Sequence, residues 1–153
     1  MSSPSDVAAA VAIHPFLQRL EREHRAALVP GATLADVPPG ALLAREGEPA
    51  TCFHLVVRGR VAVEIHTPTR GGVRLQTVGA GEVLGWSWLL TPQRRQFDLR
   101  AIEATRVLVL DGPSVRAACE ADHELGYRLV RALLDVVAGR LSAARLQLLD
   151  EYR

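Results

Sequence analysis

Residues 43–63 read LAREGEPATCFHLVVRGRVAV, and this stretch decides the fold. It contains the apolar run 53–57 and the start of a second run, 61–65. The turn sequence RGR at 58–60 separates the two runs, and another turn sequence, EGEP at 46–49, precedes them. In the second run apolar residues alternate with smaller or more polar ones, which is typical of a strand with one face in a core. The stretch therefore predicts short β-strands divided by glycine turns.

The same pattern extends on both sides of this stretch. From residue 32 to residue 111, short apolar runs separated by glycine and proline predict seven or eight strands, as in a sandwich, jelly roll or small barrel. Residues 4–29 read as helix that breaks or restarts at Pro15. Residues 112–151 return to helix, and a long helix is expected from about Asp122 to about Glu151.

Length and composition exclude several classes of protein. The chain has 153 residues, of which 48% are hydrophobic and 23% charged, so one ordered domain is expected. The 18 basic and 17 acidic residues nearly cancel, which argues against nucleic acid as the main partner. All the basic residues are arginine, so Schiff-base lysine chemistry and a P-loop lysine are excluded.

The cysteines and the N-terminal segment indicate the cellular compartment of the protein. Cys52 and Cys119 lie far apart and form neither a C-x-x-C pair nor a disulfide framework, which fits a reducing compartment. The apolar segment 7–13 has no basic residue before it, adjoins Asp6, and is too short to span a bilayer. The sequence predicts a cytoplasmic protein without membrane association.

The deciding stretch resembles the first half of the cyclic nucleotide-binding domain family, which includes the catabolite activator protein. Gly47 and Gly59 stand where the family pattern REGD-x-x-x-x-x-Y-x-V-x-x-G-x-V has turn glycines, and residues 14–17, HPFL, match a common start of its N-terminal helix. The resemblance runs from about His14 to about Leu149. It implies a mainly β fold: an eight-stranded antiparallel jelly-roll barrel at about 32–111, N-terminal helices at about 4–29 and C-terminal helices at about 112–151, together one domain over 1–153.

Residues 85–101, GWSWLLTPQRRQFDLRA, resemble the phosphate-binding cassette of that family, whose usual form is G-E-L-A-L … R-x-A-x-V-R-A. Two positions depart from it. Trp86 stands where the family has the Glu that binds the ribose 2′-hydroxyl, and Gln96 stands where it has Ser, Thr or Ala. The matching residues are Gly85, Leu89, Arg95, Arg100 and Ala101.

Elementary chemistry supports an anion site in this cassette. Gly85 permits close backbone approach, and the one-turn helix expected after it presents unpaired N–H groups. Arg95 can hold an anion with its planar fork of donors, whereas Arg94 is its competitor and the more solvent-facing of the two. The candidate ligand-binding residues are Gly85, Trp86, Ser87, Trp88, Arg95 and Gln96.

Three of these candidates have two interpretations each. Trp86 and Trp88 either fill the pocket or stack on a flat ligand. Ser87 either starts the helical turn or donates to the anion.

The long C-terminal helix carries a stripe of apolar residues. About 30 residues span roughly 45 Å, and we expect the barrel to cover less than this length. The stripe therefore predicts a homodimer seam, with packing on the barrel as the alternative. The seam residues are Leu129, Leu133, Val137, Leu141, Ala144 and Leu148.

These observations favour a non-catalytic regulatory module that senses a cyclic nucleotide-like or other anionic ligand and signals through its C-terminal helix. The expected output is a partner protein, a rearrangement of the dimer or a further domain. No catalytic residue, metal ligand or other cofactor is assigned. No direct DNA binding is expected, because the net charge is close to zero. In addition, the chain stops at Arg153, where the resemblance implies that the helix-turn-helix DNA-binding domain of catabolite activator relatives would begin. The alternatives are a ligand-free interaction or structural module and a cupin-like metal enzyme, against which the isolated His54 and His66 argue.

Overall fold

The computed structural model describes residues 3–85 and 94–152. Its N-terminal helices are α1 (Pro4–Ile13) and α2 (Arg22–Leu28), with 3₁₀ turns at Leu17–Arg19 and Val29–Gly31. Ser3 and Asp6 form a capping box, in which each side chain accepts a hydrogen bond from the backbone N–H of the other residue. Helix α1 ends before His14, since Pro15 disfavours helical backbone at the residue that precedes it.

Eight strands form within the described residues, in two four-stranded antiparallel sheets. The sheet orders are β1-β8-β3-β6 and β2-β7-β4-β5. The predicted fold class, a jelly roll with flanking helices, is confirmed; no hydrogen-bonded ladder joins the two sheets among the strands described. The strands are β1 (Ala32–Val37), β2 (Leu42–Ala44), β3 (Cys52–Arg58), β4 (Arg60–Thr67), β5 (Gly71–Gly79), β6 (Val83–Leu84), β7 (Asp98–Ala101) and β8 (Thr105–Asp111).

The turn between β3 and β4 shows why the deciding stretch needs its glycine. Gly59 has a φ of +96°, in the left-handed region that favours glycine. A Cβ there would also lie 2.5 Å from Thr105 Oγ1 and 2.6 Å from the carbonyl oxygen of Ala104. The chain can therefore pass from one sheet to the other only because this residue has no side chain.

Two apolar clusters hold the elements together. One lies between the sheets and includes Val56, Val61, Leu84, Leu99 and Val107. The other joins the opposite face of the β1-β8-β3-β6 sheet to the helices; its members include Phe53, Leu55, Leu108, Leu110, Leu17, Leu28, Leu125 and Leu129.

The C-terminal helices are α3 (Gly112–Ala121) and α4 (His123–Glu151). Asp111 caps α3 by accepting from the N–H of Ser114. Asp122 caps α4 with one carboxylate oxygen, and its other oxygen lies 3.3 Å from Nε2 of the buried His24 on α2. The start of α4 is therefore fixed to the N-terminal helices. Within the part of the chain described, no helix combines the length and the apolar character needed to cross a membrane.

Two of the six residues predicted for the dimer seam are buried within their own chain. Leu129 and Leu133 are only 0% and 4% exposed, because they pack in the helix–sheet cluster of their own chain. They are not available to a second copy. The other four predicted seam residues, Val137, Leu141, Ala144 and Leu148, are exposed.

Candidate ligand-binding site

A cavity of about 290 Å³ lies between the inner face of the β2-β7-β4-β5 sheet, the end of β6, the segment before β7, and α4. Its wall is mostly apolar, and four polar side chains among the described residues border it: Gln76, Arg95, Gln96 and Arg140. The apolar members are Val63, Leu75, Leu84, Phe97 and Leu99. An apolar pocket with a few polar groups has the general character of a small-molecule site.

Arg95 is the charged residue buried in this wall, with a side chain directly against Gly85. The residue is only 8% exposed, and its Nη2 donates a 2.7 Å hydrogen bond to the carbonyl oxygen of Cys52. Gly85 has a φ of +78°, and a Cβ at this position would lie 2.3 Å from Arg95 Nη1. The arginine therefore occupies space that any residue other than glycine would fill.

The turn between β2 and β3 fixes the backbone at this arginine. The N–H of Arg95 donates to the carbonyl oxygen of Glu48 at 2.7 Å, and the N–H of Gly47 donates to the carbonyl oxygen of Arg95 at 2.8 Å. The neighbouring Arg94 is exposed and donates from Nη1 to the carbonyl oxygen of Gly47 at 2.7 Å. Of the two candidate arginines, Arg95 reaches the cavity and Arg94 holds the turn from outside.

The described titratable side chains next to Arg95, His54 and Cys52, carry no charge that balances its guanidinium. No carboxylate among residues 3–85 and 94–152 lies within 4.0 Å of its guanidinium as an ion-pair partner. His54 on β3 is also buried, and burial, with the charge of Arg95 as a second cause, lowers the pKa of His54 to about 4. Burial raises the pKa of the Cys52 thiol as well, although Arg95 opposes this effect. The imidazole and the thiol are therefore neutral at pH 7, and neither balances the guanidinium.

Arg140 is a site residue that the sequence reasoning missed. It projects from α4, is half-buried, borders the same cavity, and donates from Nη2 to the carbonyl oxygen of Val83 on β6. Burial lowers its pKa to about 10, against the opposing effect of Glu82. One signal for it exists in the sequence, because Arg140 continues the buried line of Leu125, Leu129, Leu133 and Val136 at helical spacing.

The other predicted site residues divide into two groups. Gly85, Arg95 and Gln96 lie together at the cavity, with Gln96 exposed at its rim. Trp86, Ser87 and Trp88 lie outside the described residues. The structure therefore brings three of the six predicted residues together at one cavity. Their role in ligand binding stays a prediction.

The exposed face of α4 carries a second stripe of mostly apolar residues at regular spacing. The sequence analysis did not distinguish this stripe from the buried one. Alternating steps of three and four residues connect its members, the spacing of a coiled-coil seam. Tyr127, Val130 and Leu134 precede the four exposed seam residues already predicted and are themselves 64%, 50% and 63% exposed. The full exposed stripe is Tyr127, Val130, Leu134, Val137, Leu141, Ala144 and Leu148.

No group of three or more His, Cys, Asp and Glu residues that could hold a metal ion occurs in the described part of the chain. His54 is buried on β3, whereas His66 is exposed on β4. These two histidines therefore provide no basis for a cupin-type metal centre.

Comparison with known proteins identifies the family. The sequence profile of the cyclic nucleotide-binding domain matches residues 34–122, more than half of the chain. The chain therefore belongs to the cyclic nucleotide-binding domain family. This membership supports a ligand-binding regulatory module.

One curated relative matches part of the chain, and two solved structures share its fold. A Rhodopseudomonas palustris protein named "Putative potassium channel protein" is 31% identical over 101 residues, which is 66% of this chain and 23% of that protein. The chain thus spans about a quarter of the length of that relative. A cyclic nucleotide-binding domain from Methylobacillus flagellatus superimposes with a TM-score of 0.82 at 20% identity, covering 93% of this chain and 85% of the other. The catabolite activator protein of Thermus thermophilus gives a TM-score of 0.71 at 23% identity, covering 88% and 61%.

Proposed function

We propose that this protein is a non-catalytic, cytoplasmic regulatory module that binds a small nucleotide-like anion in the cavity beside Gly85. The observation that carries the proposal is the buried guanidinium of Arg95, which has no carboxylate partner among the described residues. A buried charge is costly unless it is paired. A bound anion supplies the missing partner, and the apolar wall accommodates the rest of the ligand.

A ligand panel tests the proposal. Nucleotides, inorganic phosphate and sulfate are titrated by calorimetry and by thermal shift against the parent, Arg95→Lys and Arg94→Lys. A ligand at 100 times its Kd stabilises the folded protein by about 2.7 kcal/mol. We expect Arg95→Lys to lose this gain, because a point charge cannot reproduce the planar fork, and Arg94→Lys to retain it. Failure of every anion to bind, or equal binding by both variants, contradicts the proposal.

Cyclic AMP itself should bind weakly. An indole at position 86 can donate a hydrogen bond but cannot accept one from a ribose hydroxyl, as the Glu of the family does. The lost charged hydrogen bond corresponds to about 10- to 150-fold in affinity. Calorimetry on the parent and on Trp86→Glu measures the difference, and submicromolar binding of cyclic AMP by the parent would contradict it.

The output of the module is proposed to run through α4. Arg140 links the cavity to this helix, and the exposed stripe of α4 offers a surface for a second copy of the chain. A second copy is favoured because the stripe keeps the three-and-four spacing of a coiled-coil seam from Tyr127 to Leu148, so the same stripe on another copy can pack against it. We expect a partner protein to bind this dimer and to transmit the signal. Direct DNA binding and membrane association are not part of the proposal.

A ligand-free interaction module is the second candidate function, and one observation favours it. Arg95 already donates to the carbonyl oxygen of Cys52 and packs against Gly85, so it has a structural role in the barrel wall. Under this alternative, Arg95→Lys lowers the melting temperature of the protein while no anion raises that of the parent. The same panel therefore separates the two functions.

A further inference from the structure

His54 on β3 is a buried histidine beside the proposed anion site, and the proposed function does not use it. The residue is only 5% exposed, and its Nδ1 is buried without a hydrogen-bond partner. A buried polar atom without a partner is unfavourable, and such atoms are rare in folded proteins. A histidine at this position therefore costs stability that an apolar residue would not.

The strand pairing places this imidazole next to the guanidinium of Arg95. His54 pairs with Leu84 on β6, and Gly85, against which Arg95 packs, directly follows Leu84. Cys52 lies two residues before His54 on the same face of β3, and Arg95 Nη2 lies 3.8 Å from the Cys52 Sγ. Neighbours on one face of a strand are about 7 Å apart. Arg95 therefore contacts residues on both strands that adjoin the pair of His54 and Leu84.

Several charged or titratable groups lie on the elements around His54. They are Cys52 on β3, Asp111 at the end of β8, Glu82 before β6, Arg95 before β7 and Arg140 on α4. Glu82 and Arg140 carry opposite charges and interact with each other, and Asp111 accepts hydrogen bonds from Ser114. Burial, and then the charge of Arg95, lower the pKa of His54 to about 4. Among the described charges, Arg95 is therefore the one that opposes protonation of this imidazole.

Resting on the proposed function, we infer that His54 takes up a proton when an anion binds at Arg95, so that the site binds anions more tightly as the pH falls below 6. The guanidinium repels an imidazolium, and the charge of a bound anion cancels this repulsion. By linkage, an anion that favours the protonated imidazole binds the protonated protein more tightly. His54 is not among the described residues of the cavity wall, so it acts through Arg95.

The expected size of the coupling follows from the separation of the two groups. A unit charge about 7 Å away, at an effective dielectric constant of about 20, changes the proton affinity of a group by about 10- to 50-fold. Because the pKa of His54 starts at about 4, the protonated share at pH 5.0 should rise from about a tenth to at least about half. This change corresponds to about half a proton per bound anion and to an affinity about two- to fivefold higher.

Calorimetry can count this proton. Sulfate and cyclic GMP are the probes, because their charges do not change between pH 5.0 and pH 7.5. Titrations in two buffers with different enthalpies of ionisation give the number of protons taken up on binding. They are made on the parent, His54→Gln, His54→Phe and His66→Gln, each shown to be folded at pH 5.0 by thermal unfolding. His66 is the control because it lies exposed on β4 and outside the described cavity wall.

The parent and His66→Gln should take up about half a proton per anion at pH 5.0 and almost none at pH 7.5. Both His54 variants should lose this uptake, and their anion affinities should change less with pH. No uptake by the parent at pH 5.0, or equal uptake by the His54 variants, overturns the inference and leaves the proposed function standing. Binding of neither probe at either pH also overturns it, and the proposed function falls only if the whole anion panel fails.

An NMR titration of the parent needs no variant to fold. The assigned ring resonance of His54 is followed against pH with and without saturating sulfate. Its midpoint should move to higher pH when sulfate is bound, since the anion cancels the charge of Arg95. A midpoint that sulfate leaves unchanged overturns the inference.

Discussion

The two apolar stripes of α4 use similar residues for different purposes. In the buried stripe, Leu125, Leu129 and Leu133 face the core of their own chain and are almost completely buried. In the neighbouring stripe, which runs from Tyr127 to Leu148, Leu134 and Leu141 are 63% and 49% exposed. Leucine at helical spacing thus indicates an apolar face, but the neighbouring elements decide whether that face is core or surface.

The largest expected effect comes from truncating a buried leucine. Leu129→Ala leaves a cavity in the helix–sheet cluster and should lower the free energy of unfolding by about 2–5 kcal/mol. Leu146→Ala, on the exposed part of the helix, should change it by less than about 0.5 kcal/mol, since Leu146 is 63% exposed. Urea unfolding of both variants measures the difference, and equal losses would contradict the division of the helix.

The exposed stripe should hold two copies together. Replacing both Val137 and Leu141 with Glu removes two apolar contacts and opposes like charges across the seam, so the Kd of dimerisation should rise at least 100-fold, or about 3 kcal/mol. Light scattering coupled to size-exclusion chromatography should then report monomers. Leu146→Glu, outside the stripe, is the matched control and should remain dimeric. A monomeric parent, or a double variant of unchanged mass, contradicts the seam.

Burial of His54 on β3 should make the stability of the protein depend on pH. Burial lowers the pKa of His54 from 6.5 to about 4, so the unfolded chain takes up a proton there before the folded chain does. The stability associated with a neutral His54 is complete above pH 6.5 and falls as the pH decreases towards 4.

Between pH 7.5 and pH 5.5 this loss should amount to about 1 kcal/mol in the free energy of unfolding. Burial lowers the pKa of His14 too, which acts in the same direction. Urea unfolding at both pH values measures the loss. His54→Phe should show a smaller pH dependence than the parent, and an identical dependence would argue against His54 as a source.

The smallest expected effect concerns two glycines of α4. A Cβ at Gly139 meets no atom within 4 Å, so Gly139→Ala should gain about 0.5–1 kcal/mol of stability from helix propensity. A Cβ at Gly126 lies 3.2 Å from Cys119 Cβ and 3.4 Å from the carbonyl oxygen of Cys119, which offsets this gain. Thermal unfolding should therefore rank Gly139→Ala above Gly126→Ala, and the reverse order contradicts the prediction.

The sequence predicted those features that depend on local chemistry. The turn at Gly59, the start of the strands at residue 32 and the long last helix follow from glycine positions and apolar periodicity, which are properties of neighbouring residues. Arg95 was preferred to Arg94 because of its place in the family cassette, and the structure buries Arg95 and exposes Arg94.

Features that depend on distant packing were not predicted. Two apolar stripes lie next to each other on α4, and periodicity alone does not show that Leu133 faces the core while Leu134 does not. Arg140 was missed for a similar reason, because only the folded chain brings this helix residue to Val83 and the cavity.

The pairing of Arg95 with the turn at Gly47 and Glu48 has a kinetic consequence. Two backbone hydrogen bonds join segments that are far apart in the sequence, and such distant contacts require loop closure and form slowly during folding. We therefore expect the proposed anion site to form late in folding, after the strands on both sides have paired. An anion that binds there should slow unfolding and leave the refolding rate nearly unchanged, which stopped-flow measurements with and without phosphate can detect.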